Sequence, residues 1–188
     1  GGGNGNYDYE SGSYEGLIAP YCKETSVSIS GGKASNLYAG GYAGLCGLTD
    51  LSVTGGTMDT IFGGGNKAGT ELSQTVIDPA TQTQITVTND GSSTVTMQGG
   101  SVSGGVYGGC NAQDTIVGNV VVHVTGGTVG TSTSDRANVH GGGFGALTAT
   151  KGDVTVNIAS EGASSGPTLY GDVYGGSALG QVSASDKT

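Results

Sequence analysis

One recurring phrase constrains this chain more than any other feature. A short alternating apolar run leads to a glycine pair, and a second apolar step, usually ending in an aromatic residue, leads to another run of glycines. The phrase is clearest in VVVHVTGGTVGTSTSDRANVHGGG (120–143), and it returns as VSISGGKASNLYAGG (27–41), LSVTGGTMDTIFGGG (51–65) and VTMQGGSVSGGVYGG (95–109). A looser version joins VTVNIASEG (154–162) to DVYGGS (172–177). Counted between the steps Leu37-Tyr38, Ile61-Phe62, Val106-Tyr107, Val139-His140 and Val173-Tyr174, the spacings are 24, 45, 33 and 34 residues. A period of this size, built from strand-like runs, is the signature of an array in which every repeat packs on its neighbours.

Local patterning specifies strands. Strict alternation occurs in Val27-Ser28-Ile29, Leu51-Ser52-Val53, Ile85-Thr86-Val87, Val122-His123-Val124 and Val154-Thr155-Val156, and no window carries a capped helical period. The 40 glycines agree: they are about three times the usual share, and each would cost roughly 0.5–1 kcal/mol inside a strand. They therefore belong at corners. With three prolines and no Gly-X-Y period, collagen and Pro-rich disorder are excluded.

A 24-residue repeat suits three short strands and three corners. The expected fold is all-β, a right-handed parallel β-helix (β-solenoid) of about five coils with insertions at its corners. Residues 1–188 read as one domain, with an N-terminal loop or cap over 1–26, repeats over 27–180 and an insertion over 66–94. The insertion, TVIDPATQTQITVTNDG at its centre, reads as a projecting hairpin or as an irregular extra coil, and the absence of an apolar-aromatic step before Val106 favours the hairpin. Stacking predicts interior columns Val27/Leu51/Val95/Val122, Ile29/Val53/Met97/Val124 and Leu37/Ile61/Val106/Val139/Val173.

A net charge of −9 and a pI near 4.3, with six scattered basic residues, argue against nucleic acid as a partner. No run of eighteen apolar residues exists, so helical membrane insertion is not expected.

Candidate chemistry is sparse. Asn4, Asn6, Asp8, Glu10 and Glu15 have the spacing of a calcium loop, making calcium the one cofactor the sequence offers; Tyr9 stands where that loop needs glycine, and the alternative is a polar loop folded over the first repeat. No lyase-type base or converging carboxylate pair is evident, so no catalytic residue is assigned. The aromatic positions Tyr38, Phe62, Tyr107, His140 and Tyr174 should stack as a ladder, either as plain strand stabilisation or as a glycan-binding stripe. Cys22 and Cys46 each lie nine residues before a corner glycine. They therefore occupy equivalent points of adjacent repeats, and a Cys22–Cys46 disulfide is expected, with Cys110 unpaired.

The V-x-V-T-G-G-T-V and V-Y-G-G-G-N/C phrases over about residues 27–180 resemble those of repetitive, glycine-rich adhesin-like surface proteins of bacteria. That resemblance implies secretion or cell-surface display and a structural or adhesive role. The expected function is a non-enzymatic extracellular segment of an adhesin, stalk or filament; the alternative is a carbohydrate-active or carbohydrate-binding β-helix. Gly1-Gly2-Gly3-Asn4 and Val173-Tyr174-Gly175-Gly176 read as complementary halves of one step, so head-to-tail association with another copy, or with adjacent repeats of a longer chain, is expected.

Overall fold

The computed structural model describes residues 21–78, 80–159 and 166–182, and all the regular structure among them is β. In chain order the strands are β1 (Tyr21–Cys22), β2 (Thr25–Tyr38), β3 (Leu45–Cys46), β4 (Thr49–Phe62), β5 (Ser73–Ile77), β6 (Gln84–Thr88), β7 (Ser93–Met97), β8 (Ser101–Tyr107) and β9 (Asn111–Ile116). They continue as β10 (Val120–Val124), β11 (Thr128–Val129), β12 (Val139–His140), β13 (Phe144–Thr150), β14 (Val154–Ile158), β15 (Thr168–Leu169), β16 (Val173–Tyr174) and β17 (Gln181–Val182).

Among the described residues pairing is parallel, apart from the β5–β6 hairpin and two isolated bridges, and each repeat pairs with the next. β2, β4, β7, β10 and β14 follow one another in register, which sets the columns Val27–Leu51–Val95–Val122–Val156 and Ile29–Val53–Met97–Val124–Ile158. A second ladder runs from the latter halves of β2 and β4 through β8, then β11 with β12, then β15 with β16. It sets the columns Ala34–Met58–Val102–Val129–Leu169 and Leu37–Ile61–Val106–Val139–Val173. A third pairs β1 with β3 and β9 with β13 and β17, the two parts being joined through a bridge from Cys46 to Thr70 and a bond from Thr70 N to the Thr115 carbonyl at 2.9 Å.

Side chains on a strand alternate between its faces, so β7 and β10 bury every second residue. The buried members of all three ladders meet in one apolar core that includes Leu51, Met58, Val106, Ile116 and Val139. Removing one such side chain from water contributes roughly 1.5–3 kcal/mol. Burial fades toward the last repeat: Ile61, Val106 and Val139 are at most 1% exposed, while Val173 in the same column is 42% exposed.

Two kinds of glycine make this stacking work. Gly32, Gly56, Gly100 and Gly127, the second member of each pair, have φ of +84°, +93°, +81° and +84°, a region that disfavours any residue with a Cβ. Gly63, Gly108 and Gly141, just after the aromatic position, serve close approach instead. A Cβ on any of them would run into the carbonyl of the next repeat and into the side chains of its first strand: Ser93 and Val95, Val120 and Val122, Val154 and Val156.

Several expectations need revision. The paired region starts before residue 27, because β1 and Thr25 already lie in ladders. The insertion is shorter than 66–94: Asn66 and Thr70 bridge to neighbouring repeats, and Ser93 and Thr94 belong to β7. Between them β5 and β6 pair with each other, antiparallel, from Ser73–Thr88 to Ile77–Gln84.

Candidate functional site

The best-defined side-chain constellation is the aromatic column. Tyr38, Phe62, Tyr107, His140 and Tyr174 each follow an interior residue on the second ladder, so they point away from the core, and in-register parallel pairing repeats them one strand spacing apart. Ring centroids are separated by 5.0, 5.1, 5.2 and 4.8 Å along the column, with interplanar angles of 8°, 13°, 4° and 12°. The rings therefore cover one another. Phe62, Tyr107 and His140 are 3%, 8% and 8% exposed, and only Tyr174 offers much surface, at 45%.

Beside the rings runs a second column that the sequence reading missed. Tyr42, Asn66, Asn111 and Phe144 stand four residues after successive aromatic positions and bridge one another in parallel. The Asn111 amide donates to the Tyr38 hydroxyl oxygen at 3.1 Å and to Asn66 Oδ1 at 3.2 Å. Phe144 replaces asparagine in the last of these positions and tilts over Tyr107, with centroids 5.3 Å apart at 58°. The signal was present in the constant four-residue offset, but the change from Tyr to Asn to Phe hides it. Gly105 leaves room for the Tyr107 ring: its Cβ would sit 3.0 Å from Tyr107 Cε2.

Tyr38, Phe62 and Tyr107 of the first column and Asn111 and Phe144 of the second, with Asn36, Thr60 and Gly104, line an open cleft of about 280 Å³. Its charge-free lining combines the 42%-exposed ring of Phe144 with amides and hydroxyls. Burial raises the Tyr107 phenol above its ordinary pKa and also raises Tyr38, against the lowering effect of the Asn111 bond. His140 is pushed down by burial, and its Nδ1 lies out of solvent without a hydrogen-bond partner. These groups are thus neutral at physiological pH.

The cysteines are placed as equivalents but are not joined. Cys22 and Cys46 are direct partners on β1 and β3, as their spacing implies, and all three cysteines stand as free thiols in the structure. The Cys22 thiol donates instead to the Glu24 carbonyl at 3.1 Å. Cys110 is buried in the core, where burial, reinforced by Asp114, pushes its thiol far above the ordinary range.

Asn4, Asn6, Asp8, Glu10 and Glu15 lie outside the described residues. Among the described residues, no group of three or more His, Cys, Asp or Glu side chains gathers as a metal set, and no helix is long and apolar enough to cross a membrane. The aspartates instead organise turns. Asp78 accepts from Ala80 N at 2.9 Å and Thr81 Oγ1 at 2.8 Å, and Asp114 accepts from Gly69 N at 2.9 Å.

Comparison with protein-family models, curated proteins and solved structures gives no match to this chain.

Proposed function

We propose that this chain is a non-enzymatic, extracellular β-solenoid, a right-handed parallel β-helix of about five coils that serves as a structural or adhesive segment of a surface adhesin, stalk or filament. The observation that carries this reading is the set of parallel columns, each five residues long, apolar inside and aromatic outside. Such a body resists bending because each repeat is held by backbone bonds and by side-chain columns on both faces of its strands. The β5–β6 hairpin departs from it as a separate sheet, with Ile77 and Ile85 each 43% exposed, and is the natural presenting element.

Two readouts test this proposal together. Antibodies raised against the protein should label the outside of intact source cells, and incubation with a panel of acidic and neutral polysaccharides should release no new reducing or unsaturated ends. Labelling confined to the cell interior, or catalytic release of ends, would overturn it.

The cleft favours a second reading, binding of a neutral saccharide. An exposed aromatic ring beside uncharged amides and hydroxyls suits a sugar's apolar face and its hydroxyl groups. A glycan array read with the wild-type protein and Phe144→Ala tests it: binding to neutral glycans that disappears in the variant supports the reading, and an empty array refutes it.

A further inference from the structure

Among the described residues, nothing crowds the corner glycines at the two ends of the ladders. In the interior, every corner glycine is filled from the neighbouring repeat. A Cβ on Gly141 would strike Val154 and come within 3.0 Å of Val156, and one on Gly108 would strike Val120 and Val122. Gly175 holds the same position in the last repeat, where a Cβ would meet nothing within 4 Å among the described residues, and Gly176 beside it is equally open. The first repeat mirrors this. A Cβ on Gly55, Gly99 or Gly126 would strike the carbonyl oxygen of Ser30, Thr54 or Gln98 in the repeat beneath, whereas one on Gly31, their counterpart, would meet nothing within 4 Å among the described residues. Neither Gly31 nor Gly175 has a positive φ, so backbone conformation does not demand glycine there either.

Both ends therefore carry the shape that admits another rung. β2 and β14 are edge strands of the first ladder, and β16 ends the second with Val173 42% and Tyr174 45% exposed. Resting on the solenoid reading above, we propose that these two ends bind each other: the last repeat of one molecule receives the first repeat of a second copy in the register used inside the chain. Val27 of the incoming copy then lies over Val156, Leu37 over Val173 and Tyr38 over Tyr174, because those residues share columns within one chain. Thr25 and Val27 enter the space above Gly175, as Val120 and Val122 do above Gly108. The unused face of the Tyr174 ring gains a partner, and the free backbone groups of both edge strands are paired. The contact is heterologous and does not close, so it propagates as a filament.

The empty space supplies a clean test in the full chain. A Cβ at Gly175 or Gly31 meets nothing within 4 Å among the described residues, so Gly175→Val and Gly31→Val should melt like the wild type while blocking one end each. Sedimentation velocity over a concentration series should show wild-type mass climbing past several monomers and each variant remaining monomeric. An equimolar mixture of the two variants should stop at the dimer, since each retains one competent end. A wild type that stays monomeric, a variant that assembles like the wild type, or a variant whose melting temperature drops because its glycine is packed after all would each overturn the proposal. A monomer that labels the cell surface and is catalytically silent would sink the assembly alone and leave the scaffold reading intact.

Discussion

Cys22 and Cys46 are register partners on adjacent parallel strands, and their thiols remain separate. Parallel stacking aligns them one strand spacing apart, and the Cys22 thiol donates to the Glu24 carbonyl at 3.1 Å. Thiol titration of the unfolded, unreduced protein should find all three cysteines free. In the folded protein only half-buried Cys22 should react quickly, because Cys46 and Cys110 are buried and burial raises the pKa of both thiols. A Cys22–Cys46 linked peptide in a non-reducing digest would contradict this.

The corner glycines predict a second measurement. In Gly108→Ala the added methyl meets the Gly141 carbonyl and the γ-carbons of Val120 and Val122 at once, all within a packed core. Overpacking of this kind costs about 1–3 kcal/mol, and urea unfolding should show the midpoint falling by the corresponding amount. Ala39, fully buried at the same corner of the first repeat, shows that a methyl is tolerated where the next rung leaves room. Ala39→Gly should accordingly destabilise the protein rather than relieve it.

The columns were legible in the sequence because two signals fix them independently. Alternation decides which side chains face inward, and the distance to the glycine pair decides the register. Thus Val27, Leu51, Val95 and Val122 could be aligned from spacing alone, and they share one column. The hairpin was visible as two strand-like halves around Asp78, but its limits were not, since Asn66 to Thr70 joins the third ladder without alternation or a glycine pair to mark it. Spacing also gave the cysteines their register but not the hydrogen bond that the Cys22 thiol makes to the Glu24 carbonyl. Phe144 escaped notice because it fills a slot occupied by Asn in the two preceding repeats.

His140 predicts a pH dependence. Its imidazole is stacked between Tyr107 and Tyr174, burial lowers its pKa, and its buried Nδ1 has no acceptor to receive a second N–H. The folded state therefore binds this proton less readily than the unfolded chain, whose imidazole titrates near 6.5. The contribution is fully present above about pH 6.5 and is lost progressively as pH falls from there toward the lower folded value. Thermal melts between pH 7.5 and 5 should show a declining midpoint, and His140→Phe, which keeps a ring in the stack, should flatten that decline. An equal slope in the variant would assign the acid sensitivity elsewhere.

The hydroxyl of Thr49 offers the most direct test of the core. Thr25, Thr49, Ser93, Val120 and Val154 form one column on the first ladder. Its polar members are treated unequally: Ser93 donates to the Gly108 carbonyl at 2.7 Å and Thr25 to the Leu48 carbonyl at 3.4 Å, while Thr49, 1% exposed, has no hydrogen-bond partner for its Oγ1. A buried hydroxyl without a partner costs about 1–3 kcal/mol in lost hydration. Valine is nearly the same shape, and Val120 two rungs away already occupies the equivalent position. Thr49→Val should therefore raise the urea midpoint by an amount corresponding to about 1 kcal/mol with an unchanged slope, whereas Ser93→Val, which breaks a real bond and adds bulk beside Gly63, should lower it. A fall in the midpoint for Thr49→Val would show that the hydroxyl is hydrogen-bonded in solution and that its burial is not a cost to the fold.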